Sequence, residues 1–192
     1  MNRFLLRSAF ALLAVEASAQ DFKMGSMVAD FPLRSLTGQP VSYASLKGQV
    51  TVVAFISVQC PISNDYNERM EALYRDYSAK GVKFVFVNAN VSEPAAEVAT
   101  HAKSAGFSFP VYKDEGNVAA DKFGATVTPE TFVMNQAGVV LYHGAIDNAR
   151  NPARVTAKGL HNALEAVLNG KPVPQAETKA FGCTIKRVRR SS

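Results

Sequence analysis

Cysteine and histidine are scarce in this chain. Two cysteines, Cys60 and Cys183, and three histidines are all that 192 residues contain. Two cysteines cannot build a disulfide scaffold, and 47% hydrophobic residues can fill a core without one. The cysteines therefore point to chemistry more than to scaffolding. His101, His143 and His161 are scattered, with no cysteine or carboxylate at ligand spacing, so no zinc motif is present. No apolar run is long enough to span a membrane. Repeats and low-complexity tracts are missing, as is any basic stretch interleaved with aromatics, which leaves no nucleic-acid platform. The net charge of +5 is mild and gathers near the end, in Lys186-Arg187-Val188-Arg189-Arg190, read as a solvated, frayed tail.

The first residues form an export signal. Arg3 and Arg7 precede the short apolar core Phe10-Ala11-Leu12-Leu13-Ala14-Val15, and Ala17-Ser18-Ala19 fits a small-x-small cleavage site. Residues 1–19 are expected to be removed, leaving Gln20 first. Glu16, between core and site, departs mildly from the pattern. Export places both cysteines where disulfides form and persist.

Cys60 is the most informative residue. It closes the apolar run Thr51-Val52-Val53-Ala54-Phe55-Ile56-Ser57, and Pro61 follows at once. An amphipathic stretch comes next, with Ile62, Tyr66, Met70, Leu73 and Tyr77 on one face, predicting one helix over 62–77. A strand that ends in Cys-Pro and feeds a helix puts a thiol where free backbone N–H groups favour the thiolate, the nucleophilic form. Pro61 suits the first helical position. The competing reading is a small buried hydrophobe.

Further along, the turn 37–40 joins strand segments 31–36 and 41–43, and 82–88 reads as a second core strand. A helix runs from Pro94 to Ala105 with Gly106 as its stop. A short strand over 107–112, a short helix over 117–123 and a loop over 124–129 follow. Strands 131–134 and 139–143 flank the turn Asn135-Gln136-Ala137-Gly138, and a last helix covers 152–168. The order implies an α/β chain: a central mixed sheet, parallel at its centre, with helices on both faces and a hairpin at one edge.

Three patches resemble the thioredoxin-like fold, and within it the redoxin and peroxiredoxin-like (AhpC/TSA-type) branch of exported bacterial proteins. They are Phe55-Ile56-Ser57-Val58-Gln59-Cys60-Pro61, Val127-Thr128-Pro129-Glu130-Thr131-Phe132-Val133 and the strand pair joined at 135–138. The resemblance covers about residues 25–170, leaving 171–192 as a tail that carries Cys183. It implies that Cys60 is the redox nucleophile and that Thr128-Pro129 is a cis peptide beside it, although most X–Pro bonds are trans. It also implies that Ser57 donates to the thiolate and that the Thr128 backbone is free to pair with an extended substrate. No organic cofactor is implied.

The chain departs from the pattern as well. Cys60-Pro61-Ile62-Ser63 has serine where thioredoxins carry their second cysteine, so no local dithiol exists to release a mixed disulfide. The peroxiredoxin proline is replaced by Val53, and no arginine lies between 131 and 143; Arg150 and Arg154 fall outside the strand. Cys183, 123 residues beyond Cys60, has three readings: a resolving thiol, a static bridge, or an unpaired thiol. Glu130 is either a base near Cys60 or a solvated carboxylate, and Asp147, Asn148 and Arg150 form a polar loop. Two functions stand. One is a thiol oxidoreductase acting on a disulfide partner or a peroxide, with Cys60, Ser57 and Cys183 catalytic, Thr128 and Pro129 contacting substrate, no metal, and an external thiol reductant. The other is a non-catalytic binding or copper-handling adaptor of the cell envelope.

Overall fold

The computed structural model describes residues 23–189, so the expected export signal over 1–19 lies outside the described residues. Nine strands and five α-helices follow in chain order among the described residues. They are β1 (Pro32–Ser35), β2 (Pro40–Ser42), β3 (Val50–Ile56), α1 (Pro61–Asn64), α2 (Asn67–Ser78), β4 (Lys83–Asn88), α3 (Ala95–Ser104) and β5 (Val111–Lys113). Then come α4 (Val118–Lys122), β6 (Val127–Thr128), β7 (Glu130–Asn135), β8 (Val140–Gly144), α5 (Gly159–Leu168) and β9 (Cys183–Thr184).

The main sheet runs β2-β1-β5-β4-β3-β7-β8. β3, β4 and β5 are parallel; β7 is antiparallel to β3, and β8 to β7. This is the mixed thioredoxin-like sheet the sequence implied. Every residue of β3 is buried, and successive side chains serve opposite faces. Val52, Ala54 and Ile56 join Phe84 and Phe86 under α2, α3 and α5. Val53 and Phe55 join Val85, Val87, Phe132 and the α4 residues Ala119 and Ala120 on the other face.

Four expected elements differ. The helix over 62–77 is broken into α1 and α2 at Asp65 and Tyr66: the Tyr66 N–H bonds Ser63 O at 3.1 Å, and its buried hydroxyl donates to Asp147 Oδ1 at 2.9 Å. The strand over 107–112 shrinks to β5, because Phe107 and Phe109 stack into the core beside Phe86 and Pro110 has no N–H to pair. The helix over 152–168 begins only at Gly159. Ahead of it the Asn148 side-chain oxygen captures the Thr156 and Ala157 amides, both at 3.0 Å. The loop over 124–129 contains β6, which pairs with β9 from the tail.

The tail is not frayed over the described residues. The Thr178 N–H donates to His143 O and the His143 N–H to Ala176 O, which straps the tail along β8. Gly144 (φ +147°) lies beneath this strap, where a Cβ would collide with Thr178. Phe181 then packs on the α2 face of the core and Ile185 inserts into the opposite one. The tail thus crosses from one face of the sheet to the other, past the end of β3.

Candidate redox site at the end of the third strand

Cys60 caps the N-terminus of α1 with extended backbone, and Pro61 takes the first helical position. Its sulfur accepts from the Ser63 N–H at 3.3 Å. α1 is a single turn, so this amide is the helix-start contribution the structure gives the sulfur, in place of a long helix. Cys60 is 2% exposed. Across from it the Thr128–Pro129 peptide is cis, and the Thr128 carbonyl oxygen lies 3.4 Å from the sulfur.

Cys60 is bonded to Cys183, with Cα atoms 5.8 Å apart. This distance is comfortable for a disulfide. β9 carries Cys183 directly opposite Thr128, and Val127 opposite Thr184. The Thr128 backbone, expected to be free for a substrate, is therefore occupied by the chain's own strand. Gly182 makes the approach possible: a Cβ there would collide with the Thr128 carbonyl oxygen. The side-chain dithiol missing from the sequence around Cys60 is thus assembled from a distant residue.

Ser57 sits close to Cys60 with a different orientation from the one expected. Its Oγ accepts from the Cys60 N–H at 3.1 Å and donates its proton to Glu93 Oε1 at 2.5 Å. The hydroxyl proton is spent on a carboxylate, so Ser57 holds the backbone of Cys60 and does not donate to its sulfur. Glu93, 2% exposed, was missed by sequence reasoning. Its oxygens also accept from the Val58 N–H at 2.9 Å, the Gln59 N–H at 3.3 Å, and the amides of Asn88 and Asn90. It grips the turn between β3 and α1 from below. Lys113 adds a buried cation to this cluster, donating to Asn88 Oδ1 at 2.5 Å, Glu93 O at 2.8 Å and Asn90 O at 2.9 Å. Burial pushes its pKa below the usual lysine value, against the pull of Glu93. One signal could have found Glu93. Loops after adjacent parallel strands meet at the same sheet edge, and the loop after β4 neighbours the one that carries Cys60.

Glu130 is neither solvated nor in contact with the sulfur. Its Oε2 accepts from the Thr126 and Val127 amides at 2.7 and 3.0 Å, and its Oε1 meets His143 Nε2 at 2.6 Å. It pins the loop that presents Thr128. Arg150 reaches Asp65 at 2.6 Å, and Asp147 receives Arg69 and Tyr66. His101 lies against Asn67 and His161 against the Tyr77 ring, on separate elements from His143. Among the described residues no three histidine, cysteine, aspartate or glutamate side chains converge as metal ligands would. The sulfur is thus flanked by one amide donor and one carbonyl acceptor, held over a buried carboxylate.

Residues 24–143 match the AhpC/TSA family. The thiol-disulfide oxidoreductase ResA of Halalkalibacterium halodurans is 30% identical over 119 residues, covering 62% of this chain and 66% of that protein. The solved structure of a hypothetical protein, SMc02350, from Sinorhizobium meliloti 1021 is 32% identical with a TM-score of 0.79, over 88% of this chain and 97% of that one. An uncharacterized conserved protein from Geobacillus kaustophilus is 29% identical with a TM-score of 0.82, over 89% and 95%.

Proposed function

This chain belongs to the AhpC/TSA family, and we propose that it works as an exported thiol–disulfide oxidoreductase whose redox couple is Cys60 and Cys183. The observation that carries this reading is the bond between the two cysteines across the cis Thr128–Pro129 peptide, at the end of a core strand. The name of the ResA relative supports the same class. In the reduced chain Cys60 is the nucleophile: its thiolate attacks a partner disulfide, and Cys183 then attacks the mixed disulfide at Cys60 and releases the reduced partner. An external thiol reductant restores the dithiol. Ser57 positions the Cys60 amide, while Thr128 and Pro129 form the wall opposite the sulfur.

Disulfide exchange fits the site better than peroxide reduction. A peroxide needs donors where charge develops on its oxygens. The Thr128 carbonyl beside the sulfur is an acceptor, and the strand arginine of peroxiredoxins has no counterpart between 131 and 143. Cleavage after Ala19 would deliver the protein outside the cytoplasm, where a reversible disulfide has use.

The test is a thiol count on the native mature protein, before and after equilibration with a graded dithiol couple. Two thiols should appear and vanish together, reversibly. With glutathione disulfide, Cys183→Ser should hold one glutathione on Cys60 as a stable mixed disulfide, the other leaving as the thiol. Thiols that appear only after denaturation would assign the bridge a purely structural role.

A further inference from the structure

We infer that the tail is a fixed seal over the cis-proline edge, and that Gly182 and Ile185 thereby restrict exchange to small thiols and disulfides, excluding extended peptides. The inference rests on the proposed redox role of the Cys60–Cys183 pair. Strand pairing beside the cis-proline needs the Thr128 and Val127 backbone, and β9 already fills that edge. The seal is anchored on both sides of Cys183 by contacts that owe nothing to the sulfur. Upstream, Phe181 packs against Tyr66 with ring centroids 6.2 Å apart. Downstream, Ile185 is 3% exposed within the core, and its N–H donates to Thr126 O at 2.9 Å. The Lys186 N–H donates to Asn90 Oδ1 at 2.6 Å, Lys186 O accepts from Val91, the Val188 N–H reaches Asn117 Oδ1 at 2.8 Å, and Arg187 pairs with Asp121. Reduction removes one bond from this set and leaves the rest in place.

Access to the oxidised pair is therefore one-sided, and in the reduced chain the opened bond leaves Cys60 facing only what a small disulfide can reach. Cys60 is 2% exposed, whereas Cys183 is partly exposed. A small dithiol sends one thiolate to Cys183 Sγ. A new S–S bond forms there, the Cys60–Cys183 bond breaks, and its electron pair leaves with Cys60 as a thiolate facing the Ser63 N–H. The reagent's second thiolate then attacks its own bonded sulfur, closes to a disulfide and releases Cys183. The reagent loses two electrons, the chain gains two, and solvent supplies the protons. A peptide dithiol must also lay its backbone along an edge that is taken.

Reduction rates of the native disulfide by dithiothreitol and by an extended peptide of about ten residues bearing two cysteines test this. The wild type should favour dithiothreitol by at least about tenfold, and Ile185→Ser should raise the peptide rate by a similar factor while changing the dithiothreitol rate by less than about threefold. Ile185→Val should behave as wild type. Arg187→Ala, which removes the surface pair with Asp121 that holds the tail downstream of Ile185, should also raise the peptide rate and leave the dithiothreitol rate within about threefold, should Ile185→Ser fold poorly. In the reduced wild type, the Ile185 and Lys186 amides should stay protected from hydrogen exchange. Equal wild-type rates for the two reagents, or loss of that protection on reduction, would overturn the seal and leave the redox role standing. No reaction with either reagent would remove both.

Discussion

Glu93 holds the residues that hold Cys60. Its two oxygens gather donors from Ser57, Val58, Gln59, Asn88 and Asn90, all in the turn after β3 or at the end of β4. A carboxylate suits this place because every partner donates; an amide of the same shape must turn its own N–H groups toward donors. Glu93→Gln should therefore destabilise the fold by about 1–3 kcal/mol, the cost of buried donors left unpaired. Urea unfolding is the measurement, with a lower midpoint and an unchanged slope. A midpoint equal to wild type would show that the turn is held by other contacts. Cys60 was legible in the sequence because a strand, a proline and a helical period all converge on it. Glu93 was not, since Ser92-Glu93-Pro94 looks like any acidic helix start and its partners come from two separate strands. Ser57 was legible as a neighbour of Cys60, but the direction of its proton was not, because that depends on Glu93.

Elements with strong periods were readable: β3, β4, β7, β8 and the capped helix α3 lie where alternation and stop signals put them. The pairing of β6 with β9 was hidden, because two-residue strands have no period and their partner is set by tertiary packing. The strap over β8 was hidden for the same reason, yet it leaves a glycine as its mark. Gly144 has φ +147° and faces Thr178, whose hydroxyl accepts from the Ala145 N–H at 2.9 Å and meets the Tyr142 hydroxyl at 2.7 Å. Gly144→Ala combines an unfavourable backbone with a collision against the strap. It should cost about 1–3 kcal/mol and raise hydrogen exchange at the Thr178 amide, leaving the amides of β4 protected. A variant as stable as wild type would mean the strap can shift without loss.

Across the whole molecule, tyrosines set the alkaline limit. Burial lifts Tyr43 and Tyr142 from 10.0 to about 12, and Tyr66 and Tyr77 are raised as well, by burial first and then by hydrogen bonds to Asp147 and Glu165. The folded chain keeps these protons where the unfolded chain releases them. Their contribution is complete below pH 10.0 and is lost as pH climbs toward 12. Lys113 has the opposite sign. Its lowered pKa means that its burial penalty is fully present at neutral pH and eases as pH rises toward the ordinary 10.5. One lysine against several tyrosines gives a stability that is flat or gently rising below pH 10.0 and falls steeply above it. Urea midpoints on either side of that pH measure this, and Tyr142→Phe should soften the fall. The separation of the two cysteines has one more consequence, which concerns time. Cys60 is made 123 residues before Cys183, so for most of synthesis it has no partner in its own chain. Every truncated product that stops short of Cys183 carries a lone thiol. Within the fold the two sulfurs meet where β9 docks on β6, so a bridge closed in the folded chain records that the tail was completed and docked.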